Sequence, residues 1–173
     1  KKTRLAVGAR IDQTREELDY LEGVKIALEQ AGEPDELAEV RQELMEQGYL
    51  KPLPPQPGAK KVKKAKKERY IPKPYAFCSS DGFMLFVGKN NKQNDYLTLK
   101  MAGEEDIWLH TREIPGAHVI IRTEGKEAPP STLAEAAGLA AFFSKARGSK
   151  KVPVDYTLKK HVHKPRGARP GMV

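Results

Sequence analysis

The sequence predicts an α+β fold: a mixed, mostly antiparallel sheet with one main helix, preceded by an N-terminal helical coiled-coil segment. Three observations carry this reading. Val7, Ile11, Thr14, Leu18, Leu21 and Leu28 follow alternating spacings of three and four, with Lys25 breaking the apolar row, the stripe of a heptad-like helix. From Tyr75 the pattern changes to period two and short apolar runs, as half-buried strands require. Late in the chain, Leu133, Ala136, Ala137, Ala140 and Phe143 give one helix an apolar face.

In chain order, residues 1–50 read as the end of a helical arm. The first helix runs to about residue 31, and at 1.5 Å per residue it would reach roughly 45 Å. Gly32 offers a C-cap, and Pro34 can open a second helix at its first turn. Leu37, Val40 and Leu44 continue an apolar stripe, and Gly48 closes it. The pair makes either an antiparallel hairpin or the exit of a coiled coil whose partner strand lies elsewhere. Residues 51–73 read as a flexible linker. Pro52, Pro54, Pro55 and Pro57 forbid a helix, and residues 60–69 carry seven basic side chains and one acid. With such a linker, the arm is expected to hold no single angle to the domain on its C-terminal side.

Residues 74–173 read as the α+β domain. Tyr75 to Cys78 and Phe83 to Val87 flank Ser-Ser-Asp-Gly, which is hairpin-turn chemistry. Residues 93–102 suit a short helix with Tyr96, Leu97 and Met101 inward. Ile107 to His110 and His118 to Arg122 read as strands around a turn at Pro115-Gly116, where Gly116 is expected at positive φ. Thr132-Leu-Ala-Glu135 has the form of a capping box, and the helix it opens should end near Gly148. Residues 152–163 supply the last strand.

Charge is distributed unevenly. Residues 1–51 hold 8 basic and 12 acidic side chains, a sum of −4; the other 23 basic and 11 acidic ones give residues 52–173 a sum of +12. A basic domain on an acidic helical arm suits a polyanion-binding module. The bland reading is that the charge serves solubility. The single cysteine, Cys78, excludes an internal disulfide framework, fits a reducing, cytoplasmic compartment, and reads as a small core residue. Apolar runs are too short for a membrane span. The chain opens at Lys1 without an initiator Met, as expected of a piece of something longer.

Enzyme signatures are missing from the sequence: it has no phosphate loop, dinucleotide fingerprint, nucleophile elbow or kinase set. His161 and His163 share one strand face, but Lys159, Lys160, Lys164 and Arg166 surround them, which disfavours a dication. No metal and no cofactor are expected. Two segments are polar beyond structural need. Gly88-Lys-Asn-Asn-Lys-Gln-Asn-Asp offers amides and cations for phosphate, ribose and base edges, or else a capped helix start. Lys164-Pro-Arg-Gly-Ala-Arg-Pro-Gly is a basic loop suited to backbone phosphates. His110 and His118 could meet across their hairpin, either as a structural pair or as a grip on phosphate or ribose. Trp108 reads as core before a stacking platform. The RNA-binding candidates are therefore Lys89, Asn91, Lys92, Gln93, Asn94, His110, Arg112, His118, Lys164, Arg166 and Arg169.

These two segments, together with Asp106-Ile-Trp-Leu-His-Thr-Arg-Glu-Ile-Pro-Gly-Ala-His-Val-Ile-Ile-Arg122, resemble the NFACT-R domain. That domain belongs to the NFACT family of fibronectin-binding protein A and RqcH-like ribosome quality control factors. The preceding helices resemble the returning end of the family's middle coiled coil. The resemblance implies binding to tRNA, to large-subunit rRNA and to ribosomal large subunits obstructed by an unfinished nascent chain. It also implies a part in template-independent alanine tailing. The family's NFACT-N and helix-hairpin-helix domains are not expected in this piece, so tailing by it alone is not expected either. The family pattern should continue beyond Val173 into another strand. A fibronectin-binding adhesin module is the first alternative, and a hydrolase the second.

Overall fold

The computed structural model describes residues 2–51 and 72–173. The expected linker at 51–73, with its polybasic tract at Lys60 to Lys67, lies almost wholly outside the described residues. The chain runs α1 (Lys2–Gln30), α2 (Pro34–Glu46), β1 (Tyr75–Cys78), β2 (Met84–Val87), α3 (Asn91–Tyr96), β3 (Ile107–Thr111), β4 (Val119–Arg122), α4 (Pro130–Phe142) and β5 (Val154–Leu158). A π-helical turn, Leu97–Met101, follows α3, and a 3-10 turn, Lys159–His161, follows β5.

The five strands form one antiparallel sheet in the order β1-β2-β4-β3-β5. Alternation along the strands decides what each face meets. Leu85, Val87, Leu109, Val119 and Ile121 point to one face and pack against Ala136, Ala140 and Phe143 of α4. The small alanines let the helix sit close over the sheet. On the other face Phe86, Ile120 and Trp108 stand in register across three strands. The π turn covers part of that face, where the Met101 carbonyl accepts a bond from Arg122 at 3.0 Å.

Helix α1 meets the rest of the molecule along Tyr20, Val24 and Ala27, which pack with Val40, Leu44 and Met172. The expected stripe faces away from this contact. Val7, Ile11, Leu18, Leu21 and Leu28 are 37–55% exposed, and at 100° per residue they lie about 130° around the helix from the docked face. Coiled-coil packing is not formed among the described residues: α1 is one long helix with α2 folded back on its C-terminal part. The turn between them works as expected at Pro34, with Glu36 accepting the Gly32 N–H at 2.9 Å. Gly48, at φ +82°, closes α2.

Other local expectations also change. Gly116 is not in the positive-φ region; it is glycine because a Cβ there would stand 2.8 Å from Ser144 Cβ and 3.0 Å from Thr111 Oγ1. The expected capping box at Thr132 is not formed. Thr132 lies inside α4 and its hydroxyl donates to Asp81 at 2.8 Å, while Glu135 reaches back to Ser80. Helix α4 ends at Phe142, short of Gly148. His161 sits on the 3-10 turn, so His161 and His163 do not share a strand face, and both are exposed. Cys78 is exposed on the edge strand β1 and is not a core residue.

Candidate nucleic-acid interface

The polar segment after β2 does not face open solvent. Carboxylates on α2, spaced three, four and three apart, meet it one after another. Glu36 takes the Lys89 ammonium at 2.7 Å. Glu39 accepts from the amides of Asn90 and Gln93, both at 2.7 Å. Glu43 accepts from Asn91 Nδ2 at 3.1 Å and the Lys92 N–H at 3.3 Å, and Glu46 pairs with Lys92 Nζ at 2.6 Å. Gln93 and Asn94 are buried, and Asn94 Oδ1 accepts the His118 N–H at 3.0 Å. The arm is therefore fixed to the domain through side-chain pairs, contrary to the expectation of no single angle. Lys89, Asn91, Lys92 and Gln93 serve this junction, whereas Asn94 binds inside the domain, to Gly116 and His118. The Asn91 side chain fills it so tightly that a Cβ on Gly23 or Gly171 would come within 2.8 Å of Asn91 Oδ1.

The carboxylates respond differently to burial. Burial pushes Glu36 up, but the Lys89 ammonium and the Gly32 and Glu33 N–H groups outweigh it, and its pKa lies below the usual value. Glu43 is deeper; burial raises its pKa despite Asn91, Tyr20 and Lys92. The Tyr20 hydroxyl lies beside this carboxylate outside strict hydrogen-bond geometry, and burial followed by Glu43 raises its pKa too.

His110 and His118 do meet across the β3–β4 hairpin. Their ring centres are 5.3 Å apart and nearly perpendicular. His118 is buried, and its Nδ1 lies 2.8 Å from the Thr98 hydroxyl, which the π turn directs into the sheet. Burial drives the His118 pKa down to about 3, with the His110 ring acting in the same sense and backbone groups of Gly171 and Asn94 opposing. Burial lowers His110 as well. Both rings are thus neutral at neutral pH. Trp108 stacks on His110 at 5.8 Å and meets His118 edge-on at 5.2 Å. It is half-buried, so it belongs to the covered face and also borders solvent.

The remaining candidates scatter. Arg112 pairs with Asp155 on β5. Lys164 binds Asp95 at 2.5 Å and the Arg169 carbonyl at 2.8 Å. Arg169 reaches the Tyr49 hydroxyl at 2.7 Å and lies 3.5 Å from Glu17, so it also ties the C-terminal loop to the arm. The expectation that these cations are free at strand ends fails for Lys89, Lys92, Arg112, Lys164 and Arg169, because Glu36, Glu46, Asp155, Asp95 and Glu17 respectively pair with them. Arg166 stands exposed. Sequence reading missed a second basic tract, Lys145, Arg147, Lys150 and Lys151, which follows α4. Lys150 and Lys151 are exposed, and Arg147 lies over the Phe142 ring at 3.9 Å. Its signal was four cations in seven residues without an acid. Among the described residues no group of three or more His, Cys, Asp or Glu could hold a metal. No helix there is long and apolar enough to cross a membrane.

Comparison with known proteins matches the chain to two family models. Residues 73–172 match the NFACT protein RNA binding domain, and residues 1–69 match the NFACT N-terminal and middle domains. The Rqc2 homolog RqcH of Bacillus subtilis (strain 168) is 44% identical over 173 residues, covering 100% of this chain and 29% of that protein. The ribosome quality control complex subunit NEMF homolog of Drosophila melanogaster is 34% identical over 97 residues, 55% of this chain and 10% of its own length. The chain thus spans less than a third of these relatives. A solved structure, the C-terminal part of the fibronectin/fibrinogen-binding protein from Streptococcus suis, superposes with a TM-score of 0.83 at 39% identity. It covers 99% of this chain and 65% of that one.

Proposed function

Because the chain belongs to the NFACT family, we propose that it is an RNA-binding module of a cytoplasmic ribosome quality control factor. In this reading it holds tRNA or rRNA on a large ribosomal subunit obstructed by an unfinished nascent chain. It is a binding module and not an enzyme; in the full-length protein it supports alanine tailing, and peptide-bond chemistry stays with the ribosome. The observation that carries the reading is the match of the whole basic domain, residues 73–172, to an RNA binding domain. The exposed cations Lys150, Lys151 and Arg166 support it, because such groups contact phosphates without first breaking an internal ion pair.

The test is RNA binding across a salt series for wild type and for a variant carrying Lys150→Glu, Lys151→Glu and Arg166→Glu. The variant should bind more weakly, and its slope against log salt should flatten by about one unit per lost phosphate contact. An unchanged slope in a folded variant removes this surface, and no RNA binding by wild type removes the reading. A second reading, fibronectin binding, draws on what the Streptococcus suis relative is described as binding. Retention on immobilised fibronectin without RNA affinity would favour it.

A further inference from the structure

Phe142 closes α4 and is 46% exposed, while its neighbour Phe143 is 8% exposed and belongs to the core. The two rings meet edge-on at 5.0 Å, so Phe142 is braced against the core and still open to water. Beyond it the chain turns within a few residues. Ser144 bridges to Gly116, and the Lys145 N–H donates to the Pro115 carbonyl at 2.9 Å. The Arg147 N–H donates to the Ser144 carbonyl at 3.1 Å, and the Ser149 N–H to the Ala146 carbonyl at 2.9 Å. Gly148, at φ +89°, carries the turn on into Lys150 and Lys151. Lys145 is paired with Glu22 of the arm. Arg147, Lys150 and Lys151 are exposed, and no carboxylate pairs with them among the described residues. The Arg147 guanidinium lies over Phe142, its Cζ 3.9 Å from the ring centre.

A phosphate alone does not account for this arrangement. Lysines would hold it as well, and the exposed phenyl ring would stay in water. A guanidinium is planar, stacks on aromatic rings, and in turn offers a plane on which an unpaired base stacks. A base whose phosphates rest on the neighbouring lysines would cover this pair. We infer that Arg147, propped on Phe142, is a stacking platform for one unpaired base of single-stranded RNA, with Lys150 and Lys151 on the adjoining phosphates. Every base has a π face, so the platform is tolerant of sequence. A duplex keeps its bases stacked on one another and offers this loop phosphates only. The loop is held by its own backbone bonds, which lowers the ordering cost of binding. The inference rests on the RNA-binding reading and deepens it: it names single-stranded RNA as the ligand class and a base as the contact.

The test compares two ligands of the 173-residue chain. One is oligouridylate; the other is an abasic ribose-phosphate oligomer of the same length, which keeps the phosphates and lacks the bases. Wild type should prefer oligouridylate. Arg147→Lys keeps the charge and removes the plane, and it should reduce that preference by about tenfold, the scale of one stacked base. Phe142→Ala removes the prop and should reduce it in the same direction. Lys150→Ala with Lys151→Ala should weaken both oligomers alike and flatten the salt dependence. Circular dichroism reports the fold. If Phe142→Ala does not fold, Arg147→Lys decides alone, since that side chain is exposed. A wild-type preference in folded Arg147→Lys overturns the platform and leaves the RNA reading standing. Equal binding of the two oligomers by wild type does the same. Binding of neither oligomer removes both readings. Polyglutamate that competes as well as oligouridylate overturns the platform in favour of an acidic protein partner.

Discussion

Acidification should weaken the fold through His118. This ring is buried against Thr98, His110 and Trp108, and its pKa in the folded chain is about 3. In the unfolded chain it titrates near 6.5. A histidine with a depressed pKa contributes its full stability above the unfolded value and loses it as pH falls below that value. At pH 5 the unfolded chain binds almost one more proton at this site than the folded chain does. The loss is the 1.5-unit gap times 1.36 kcal/mol, about 2 kcal/mol. For a chain of this size that lowers the melting temperature by about 4–8 °C relative to pH 7.5. His110 acts in the same sense, because burial lowers its pKa too. Urea melts at pH 7.5, 6 and 5 measure the total, and NMR titration of the His118 ring protons isolates its share. A folded-state midpoint near 6.5 for His118 would refute the reasoning, since the ring would then be hydrated or paired with an acid. A reduced pH dependence in a folded His118→Gln variant, with the His110 share remaining, would support it.

Other outcomes rest on the same contacts. Gly116→Val forces a side chain into Ser144 and Thr111 and should cost about 2–3 kcal/mol by overpacking; a wild-type melting curve would contradict the close approach. Glu43→Ala strands the Asn91 amide and the Lys92 N–H and should cost about 2 kcal/mol. Hydrogen exchange should then speed up in residues 34–46, and unchanged protection would mean that the arm is held elsewhere. Glu43→Gln should be milder at neutral pH, because burial already disfavours the charge. Arg169→Glu should loosen the arm along with any RNA affinity, whereas Arg166→Glu should affect RNA alone; equal effects on exchange in the arm would erase that distinction.

The α+β domain was legible because its signals are local. Strand alternation, the Ser-Ser-Asp-Gly turn, and the run of alanines facing the sheet each work within a few residues. The hairpin that joins His110 to His118 was legible for the same reason. The docking of the arm was not, because it depends on pairing two segments about 50 residues apart. Glu36, Glu39, Glu43 and Glu46 form an acidic stripe in the sequence, and Lys89 to Gln93 form its complement, but neither segment names the other. Taken alone, 88–95 looks like a nucleic-acid contact. Amides and lysines serve a carboxylate as well as they serve a phosphate, so composition does not separate the two. The docked face of α1 was hidden for a related reason: Tyr20 and Ala27 contribute to that contact without extending a row of leucines, while the stripe from Val7 to Leu28 stays exposed.

The row of carboxylates along α2 has a mechanical consequence. It clamps the arm at one end, near Tyr20 to Ala27, and leaves the remainder of α1 projecting as a stiff rod. From Tyr20 to Lys2 that rod is roughly 27 Å long, so a tilt of about 10° at the clamp sweeps its tip by nearly 5 Å. The clamp combines ion pairs and hydrogen bonds to charged groups with the apolar packing of Tyr20, Val24 and Ala27. The arm is thus a lever geared to the domain, and whatever grips its far end feels small rotations of the sheet as large displacements.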